Sequence, residues 1–337
     1  MSDAHNKHRG LQGRARARGV SLIELLVAVT IGGLLIFGAT KVYVDSRATY
    51  EVNETAARLQ ETARYALSVI EPDIRMSNYW GLVKGAGIVI GQAAQTAGST
   101  GVAQTCGNNF AHDLQQNLQA SNNAYTLGCA AATAMLASDT LTVRRASAAP
   151  SVGTTGRLRI CSTRTFASLV TNSAACTGAP NGQVNDLVVN AYYVDRNSTH
   201  RVGLPSLRRR ALGSVAGAPN FLPIPDEIIP GIEDMQVQFG IDPSGTAGSA
   251  QRYVNPGAIP SGAQVVSVRI WLLVRAENPE VGFRDNRTYQ YGDRATTTGT
   301  TANLNTAGSA GFAYAPADGF RRLLVSRTIQ LRNALGT

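Results

Sequence analysis

The chain has 337 residues, of which 44% are hydrophobic and 16% are charged, and its formal net charge at pH 7 is +9. This length accommodates a membrane helix together with one large globular domain or two small ones. Nearly half of this net charge comes from residues 1–19, where five basic side chains stand against one acidic side chain. The charge of the remainder is too mild to favour nucleic-acid binding.

A basic leader followed by a long apolar segment is the main feature of the N-terminus. Residues 25–39 contain no charged side chain, and the apolar character extends from Val20 to Tyr43. A segment of this length predicts a transmembrane helix over residues 20–43. The positive leader retains the N-terminus in the cytoplasm, so the rest of the chain is expected on the other side of the membrane.

Within residues 20–39, Glu24 is the one ionisable residue. A carboxylate in the hydrocarbon zone costs about 2.5–3.5 kcal/mol on insertion scales, which indicates a functional role with a partner. If the chain is cut between Gly19 and Val20, the new α-amine of Val20 can pair with Glu24 of a neighbouring subunit. Two alternatives are a plain anchor, with Glu24 stabilised by the helix N-terminus, and a secretory signal cut at Gly38-Ala39. Neither alternative explains the spacing of Gly19 and Glu24.

Four cysteines follow the predicted span. No pair has CxxC spacing, and the histidines beyond the leader are His112 and His200, so a metal site is not indicated and no cofactor is expected. Export to an oxidising compartment favours disulfides. Pairing of nearest neighbours is favoured, each bridge contributing roughly 3 kcal/mol in the chain-entropy model, and the other connectivities stay open. The favoured pairs are Cys106 with Cys129 and Cys161 with Cys176.

Helical periodicity continues past the membrane segment. Apolar residues recur at intervals of three and four, which predicts that residues 44–78 form the periplasmic half of one long helix. Pro72 is expected to break or kink this helix near Ile70. The stripe comprises Val44, Ala48, Val52, Ala56, Leu59, Ala63, Leu67, Ile70 and Ile74.

Residues 79–337 are predicted to form a globular, β-rich domain. Alternation with period two indicates antiparallel strands with one covered face. Three stretches rich in small and polar residues are expected to be surface excursions, namely 91–138, 242–262 and 291–311. Predicted strands include Leu141–Val143, Leu187–Tyr193, Met235–Ile241, Val266–Val274 and Leu323–Leu331.

Charged clusters in the domain are expected to be solvated, and the sequence shows no recognisable catalytic motif. The basic spots, Arg208-Arg209-Arg210 and Arg321-Arg322, are predicted on the solvent face of strands, and the acidic pairs, Asp226-Glu227 and Glu233-Asp234, on a solvated edge. His112 and His200 are expected to be exposed and inert. The chain carries no GxSxG, HExxH or Walker motif, so an enzyme is not indicated.

The sequence around Gly19 and Glu24 resembles the N-terminal motif of type IV prepilins. Gly19 matches the small residue before the prepilin peptidase cut, and Glu24 matches the acidic fifth residue of the mature chain. Val20 departs from the Phe or Met usual in the family, which leaves its N-methylation open. Four further stretches are similar to PilW-type minor pilins, namely Glu71–Gly81, Pro230–Asp242, Val268–Glu280 and Arg321–Asn333.

The resemblance implies an α+β, lollipop-like pilin fold, in which a long N-terminal helix packs on an antiparallel β-sheet domain with long loops. It implies processing by prepilin peptidase, residence in the inner membrane as a single-pass protein, and later incorporation into an extracellular pilus. The expected partners are other minor pilins, the major pilin and a tip adhesin. The expected role is priming of pilus assembly in a tip complex, which supports twitching motility and adhesion.

Two other functions remain open at this point. A J-like minor pseudopilin of type II secretion would share the N-terminal motif and the helix-plus-sheet plan. A pilus-displayed module that binds DNA or glycan would use the globular domain differently.

Overall fold

The computed structural model describes residues 19–93, 105–107, 109–129, 131–151, 156–171, 181–294, 303–305 and 312–334. The chain divides into two compact units, Met1–Glu54 and Thr55–Thr337. The leader up to residue 18, and Cys176, lie outside the described residues. The predictions that concern them therefore stay predictions.

One long helix, α1, spans Leu22–Arg75. Its first turn is closed by a hydrogen bond from the Leu25 N–H to the Ser21 carbonyl, at 3.0 Å. Of the predicted break or kink near Ile70, the break is wrong, because α1 continues through Pro72 to Arg75, and the kink stays a prediction. Proline has no N–H and cannot donate the usual backbone hydrogen bond within the helix. The flanking Ile70 and Ile74 are fully buried, and their packing stabilises the helix despite this loss.

Thirteen strands lie in the described residues and form two sheets. They are β1 (Val89–Ile90), β2 (Leu118–Ser121), β3 (Thr140–Pro150), β4 (Arg159–Ser162), β5 (Ala167–Val170), β6 (Gln183–Asp195), β7 (Ser206–Val215), β8 (Ala218–Phe221), β9 (Asp226–Pro230), β10 (Ile232–Asp242), β11 (Arg252–Val254), β12 (Gln264–Arg275) and β13 (Arg322–Gln330).

The first sheet has nine strands and the second has four. In the first, the order is β1-β5-β4-β6-β3-β2, and β7 pairs with β6, β8 and β9. In the second, the order is β11-β10-β12-β13. All pairs are antiparallel except β1 with β5. The α+β class is confirmed, and the predicted strands fall in β3, β6, β10, β12 and β13.

The prediction of one covered face is wrong for β10. Its apolar face and its polar face are both buried, so that Asp234 and Gln236 are as inaccessible as Met235. The second face is covered by chain from outside the sheet. Buried Asn123 and Asp139, for example, hydrogen-bond to β10 through Gln236 and the Val237 N–H.

The main hydrophobic core joins the second half of α1 to strands of both sheets. The buried face of the helix consists of Leu59, Ala63, Ala66, Ile70 and Ile74. A second core surrounds Trp80, directly after the helix, and includes Val89, Ile160 and Phe221. The helix between residues 55 and 75 is therefore an integral part of the globular unit.

The expectation that the three small-residue stretches are surface excursions is wrong for parts of each. Within 91–138, Cys106, Ala111 and Leu114 are buried and β2 joins the first sheet. Within 242–262, β11 pairs with β10. Arg294, in the third stretch, is 1% exposed. Small side chains allow these segments to pack closely, and backbone pairing or buried ion pairs fix them in place.

Candidate functional site

Gly19, Val20 and Glu24 lie at the head of α1, as the sequence predicts. Val20 precedes the helix and Glu24 belongs to its first turn, and all three residues are exposed. In the described part of the chain, the Glu24 carboxylate makes no hydrogen bond or ion pair. Processing between Gly19 and Val20, and a register role for Glu24, stay predictions.

The apolar side chains of the first half of α1 face outward. No residue of its most apolar segment is buried within the chain. Such a surface is far larger than the apolar patches of soluble monomers and requires lipid or other helices around it. Within the described residues, α1 is the helix long and apolar enough to cross a membrane. Its exposed large apolar residues are Leu22, Ile23, Leu25, Leu26, Val27, Val29, Ile31, Leu34, Leu35, Ile36, Phe37, Val42, Tyr43 and Val44.

The polar groups of this segment suit an apolar environment. The Thr30 hydroxyl donates to the Leu26 carbonyl at 3.0 Å or the Val27 carbonyl at 2.9 Å, and the Thr40 hydroxyl donates to the Ile36 carbonyl at 2.8 Å. Both hydroxyls are thereby satisfied by the helix itself.

Three glycines in the segment have no packing role within the chain. A Cβ atom added at Gly32, Gly33 or Gly38 would meet no atom within 4 Å. Small residues at such positions permit the close approach of another helix. This arrangement favours contacts with other chains over contacts within this one.

The last turn of α1 is anchored to the first sheet by Asp73. This carboxylate is 6% exposed and accepts hydrogen bonds from three side chains of β3 and β6. The partners are Arg145 Nη2 at 2.6 Å, Asn190 Nδ2 at 2.5 Å and the Tyr192 hydroxyl at 2.6 Å. Burial, followed by the charge of Asp73, raises the pKa of Tyr192 well above its ordinary value. Tyr192 therefore stays a neutral donor to the carboxylate.

The sequence reasoning missed Asp73, although a signal was present. Asp73 follows Ile70 by three residues and Ala66 by seven, so it lies on the buried face of the helix. A carboxylate at such a position requires a buried partner. The partner, Arg145, is 72 residues away, and periodicity does not identify it.

Asp234 of β10 holds a second buried ion pair. Its Oδ2 atom is 2.6 Å from Arg294 Nε, and both side chains are fully buried. The Tyr291 hydroxyl donates to the same oxygen at 2.6 Å, while Arg294 Nη2 donates to the Ala137 carbonyl at 2.6 Å. The ion pair therefore fixes Ala137 and residues 291–294 against the second sheet.

Glu233 forms a neighbouring cluster with Arg322 of β13. Arg322 Nε lies 2.5 Å from Glu233 Oε2, and Arg322 Nη1 lies 2.6 Å from Asp318. Arg275 Nη1 is 3.4 Å from Glu233 as well. The predicted solvated edge at Glu233-Asp234 is wrong, because both carboxylates are buried and paired with arginines from distant segments.

The prediction that the basic spots lie on the solvent face of strands is wrong for Arg210 and Arg322, which are buried. Arg322 is 3% exposed. Arg209 pairs with Asp226 at 2.9 Å, and Arg208 lies 3.7 Å from Glu227. Arg210 Nη1 donates to the Pro223 carbonyl at 2.6 Å. Ion pairs neutralise Arg208 and Arg209 locally, and Arg210 is engaged by backbone carbonyls, which gives no support to a nucleic-acid interface.

The three described cysteines are all disulfide-bonded. Cys106 and Cys129 form a disulfide, as predicted. Cys161 is buried and disulfide-bonded, and its predicted partner lies outside the described residues.

His112 is fully buried, so its predicted exposure is wrong, whereas His200 is exposed. Burial lowers the pKa of His112. Among the described residues, no group of three or more His, Cys, Asp or Glu side chains is placed to hold a metal ion.

Comparison with known proteins gives two family matches. Residues 191–333 match the family described as Type IV Pilus-assembly protein W, and residues 14–40 match the prokaryotic N-terminal methylation motif. A type IV-like pilin from Thermus thermophilus is similar at 17% sequence identity and a TM-score of 0.35, over 82% of this chain and 98% of that chain. No curated protein matches the sequence.

The exposed apolar helix and the methylation motif at its head support a membrane-anchored protein of the pilin class. Within that class, the two family matches support a PilW-type minor pilin of the type IV pilus. The resemblance predicted from the sequence is thereby confirmed. The matched residues 191–333 include Asp234, Arg294 and Arg322 of the buried charge clusters.

Proposed function

We propose that this protein primes type IV pilus assembly as a minor pilin, in a tip complex with other minor pilins and a tip adhesin. Its N-terminus is cytoplasmic and its globular unit periplasmic before assembly, and the processed chain then enters the extracellular pilus. In this role it supports twitching motility and adhesion. It acts as a structural subunit, not as an enzyme.

The observation that carries the proposal is the outward-facing apolar helix with a lone carboxylate at its head. The first half of the helix exposes its apolar side chains on all sides, so that it fits both a bilayer and a core of packed helices. Transfer from lipid to such a core keeps apolar surface covered throughout. The Glu24 carboxylate then needs a cation, which the α-amine of Val20 from an adjacent subunit supplies after cleavage.

The first prediction concerns processing. Protein isolated from membranes of cells with an active prepilin peptidase is expected to begin at Val20, and protein from cells lacking the peptidase is expected to keep its leader. Intact mass and N-terminal peptide analysis measure both states and also report methylation of Val20. An N-terminus near Thr40, or an uncut chain in both strains, would contradict the assembly pathway.

The second prediction concerns Glu24. Glu24→Ala is expected to be cleaved normally but to enter pili poorly, because the partner amine is left unpaired in an apolar core at a cost of several kcal/mol. The measurement is the amount of this subunit in sheared pili relative to membranes. Glu54→Ala, in the same helix but beyond the predicted span, is the matched control and is expected to be incorporated normally.

Normal recovery of Glu24→Ala in sheared pili would contradict the register role of Glu24.

A deletion strain distinguishes a pilus subunit from a subunit of the type II secretion system. Loss of twitching with normal enzyme secretion supports the proposal, whereas loss of enzyme secretion with normal twitching supports a type II pseudopilin.

A further inference from the structure

Strand β13 is a long, regular edge of the second sheet. It pairs with β12 through nine successive residues, Arg322 to Gln330, without a bulge. The other strands at sheet ends are much shorter, at two residues for β1, four for β2, four for β8, five for β9 and three for β11. Natural proteins usually shorten or bulge an edge strand to prevent pairing with other chains. β13 has neither protection.

The register identifies which backbone groups of β13 are open. The Ala276 N–H bonds to the Arg321 carbonyl and the Leu331 N–H bonds to the Val266 carbonyl, at 2.8 and 3.0 Å. With Arg275 opposite Arg322, the odd-numbered residues from 323 to 329 exchange hydrogen bonds with β12. The even-numbered residues therefore direct their N–H and C=O groups away from the sheet. They are Arg322, Leu324, Ser326, Thr328 and Gln330.

Most of this edge is accessible in the described structure. Ser326, Thr328 and Gln330 are exposed. Among described residues, the edge contact is at one end, where Arg287 Nη2 donates to the Arg322 carbonyl at 3.1 Å. The other outward groups of β13 have no described protein partner, so that a further strand has a full row of donors and acceptors to meet.

The surroundings of the edge are basic. The Arg327 side chain is 55% exposed and lies 3.4 Å from Glu71, a carboxylate that Arg75 shares. Arg332 is exposed just beyond the strand. On the opposite face, Arg269 reaches Thr328 Oγ1 at 3.3 Å. Around the exposed half of the edge, residues 326–330, four described arginines stand against Glu71, which favours an acidic partner and disfavours a second basic edge of the same kind.

We propose that β13 is an assembly edge, where an extended acidic segment of a different pilus subunit adds as a further strand. The inference rests on the proposed function, since it assumes partner subunits. Backbone hydrogen bonds supply the affinity, and acidic side chains on the added strand meet Arg327 on one face and Arg269 on the other. This contact is separate from the helix packing at Glu24, and it fixes the orientation of the globular unit against its neighbour.

Hydrogen exchange of the full chain in detergent tests the edge directly. The probe is an end-capped nine-residue peptide that alternates valine with aspartate, and its control carries lysine in place of aspartate. The acidic peptide is expected to slow exchange of the outward amides of Leu324, Ser326 and Thr328 by about tenfold or more. The amides of Val325 and Arg327, already bonded to β12, are the internal control. No slowing, or equal slowing by the lysine peptide, overturns the proposal.

Ser326→Pro removes one outward N–H and no bond to β12, whereas Ser326→Ala keeps the N–H and is the matched control. Ser326→Pro is expected to abolish the peptide effect and Ser326→Ala to retain it. If Ser326→Pro does not fold, Arg327→Gln removes one charge and no backbone donor. It is expected to weaken binding of the acidic peptide, and unchanged affinity overturns the proposal.

In cells, Ser326→Pro at normal protein level is expected to lose surface pili that Ser326→Ala keeps. Wild-type piliation by Ser326→Pro, together with loss in Glu24→Ala, overturns the edge proposal alone. Wild-type piliation by both variants overturns the register role of Glu24 as well. Wild-type piliation and twitching of the deletion strain overturn the proposed function itself. Self-association of the wild-type chain in sedimentation that Ser326→Pro removes would identify a second copy as the occupant, against the acidic partner.

Discussion

Replacing Asp73 by alanine is expected to lower the free energy of unfolding of the globular unit by about 3–5 kcal/mol, the cost of breaking a buried charge pair. The substitution leaves Arg145, 15% exposed in its side chain, without its carboxylate. It also removes the acceptor of Asn190 and of the buried Tyr192 hydroxyl. Denaturant unfolding of the full chain in detergent, followed by tryptophan fluorescence, measures the loss.

Glu71→Ala is the matched control for Asp73→Ala. Glu71 lies two residues earlier in the same helix and pairs with Arg75 and Arg327, whose side chains are 47% and 55% exposed. Water screens these pairs, so the expected loss is below about 1 kcal/mol. Equal losses in the two variants would contradict the anchoring role of Asp73, because helix propensity would then explain both.

The long strands were predictable because a buried face leaves a local record in the sequence. From Met235 to Ile241, and again from Val266 to Val274, apolar and polar residues alternate. This period of two arises because successive side chains of a strand point to opposite faces of the sheet. The four-residue strands β4 and β5 are too short to carry this record. Their place is decided by pairing with β6 and with each other, which no local pattern contains.

The processing site could be predicted from the sequence and the buried ion pairs could not. The residues of the first are close together in the chain, and those of the second are far apart. Gly19 and Glu24 stand five positions apart, so one short window holds the whole signal. Glu233 meets Arg322 across 89 residues, and Asp234 meets Arg294 across 60. Charged residues are rarely buried unless they are paired, so without knowledge of the pairing the solvent is the natural expectation. The tertiary fold brings these partners together, and no local sequence pattern identifies them.

Replacing Arg294 by alanine is expected to cost about 3–5 kcal/mol of the same free energy of unfolding, because Asp234 is left without its cationic partner in a fully buried site. Tyr291 still donates one hydrogen bond to that carboxylate, but it supplies no positive charge. The Ala137 carbonyl loses its donor as well, which loosens the segment that covers β10. Denaturant unfolding with the midpoint and the slope fitted separately measures the loss and detects any change in cooperativity.

A double-mutant cycle separates the pairing of Asp234 and Arg294 from simple loss of packing. If the charges matter, Asp234→Ala combined with Arg294→Ala costs clearly less than the sum of the two single variants, since neither charge is left alone. Arg209 and Asp226, with side chains 30% and 44% exposed, form the control pair. Their coupling energy is expected to stay below about 1 kcal/mol. If the losses in free energy of unfolding at Asp234 and Arg294 are additive, the two side chains stabilise the protein by filling volume. Charge pairing would then contribute nothing.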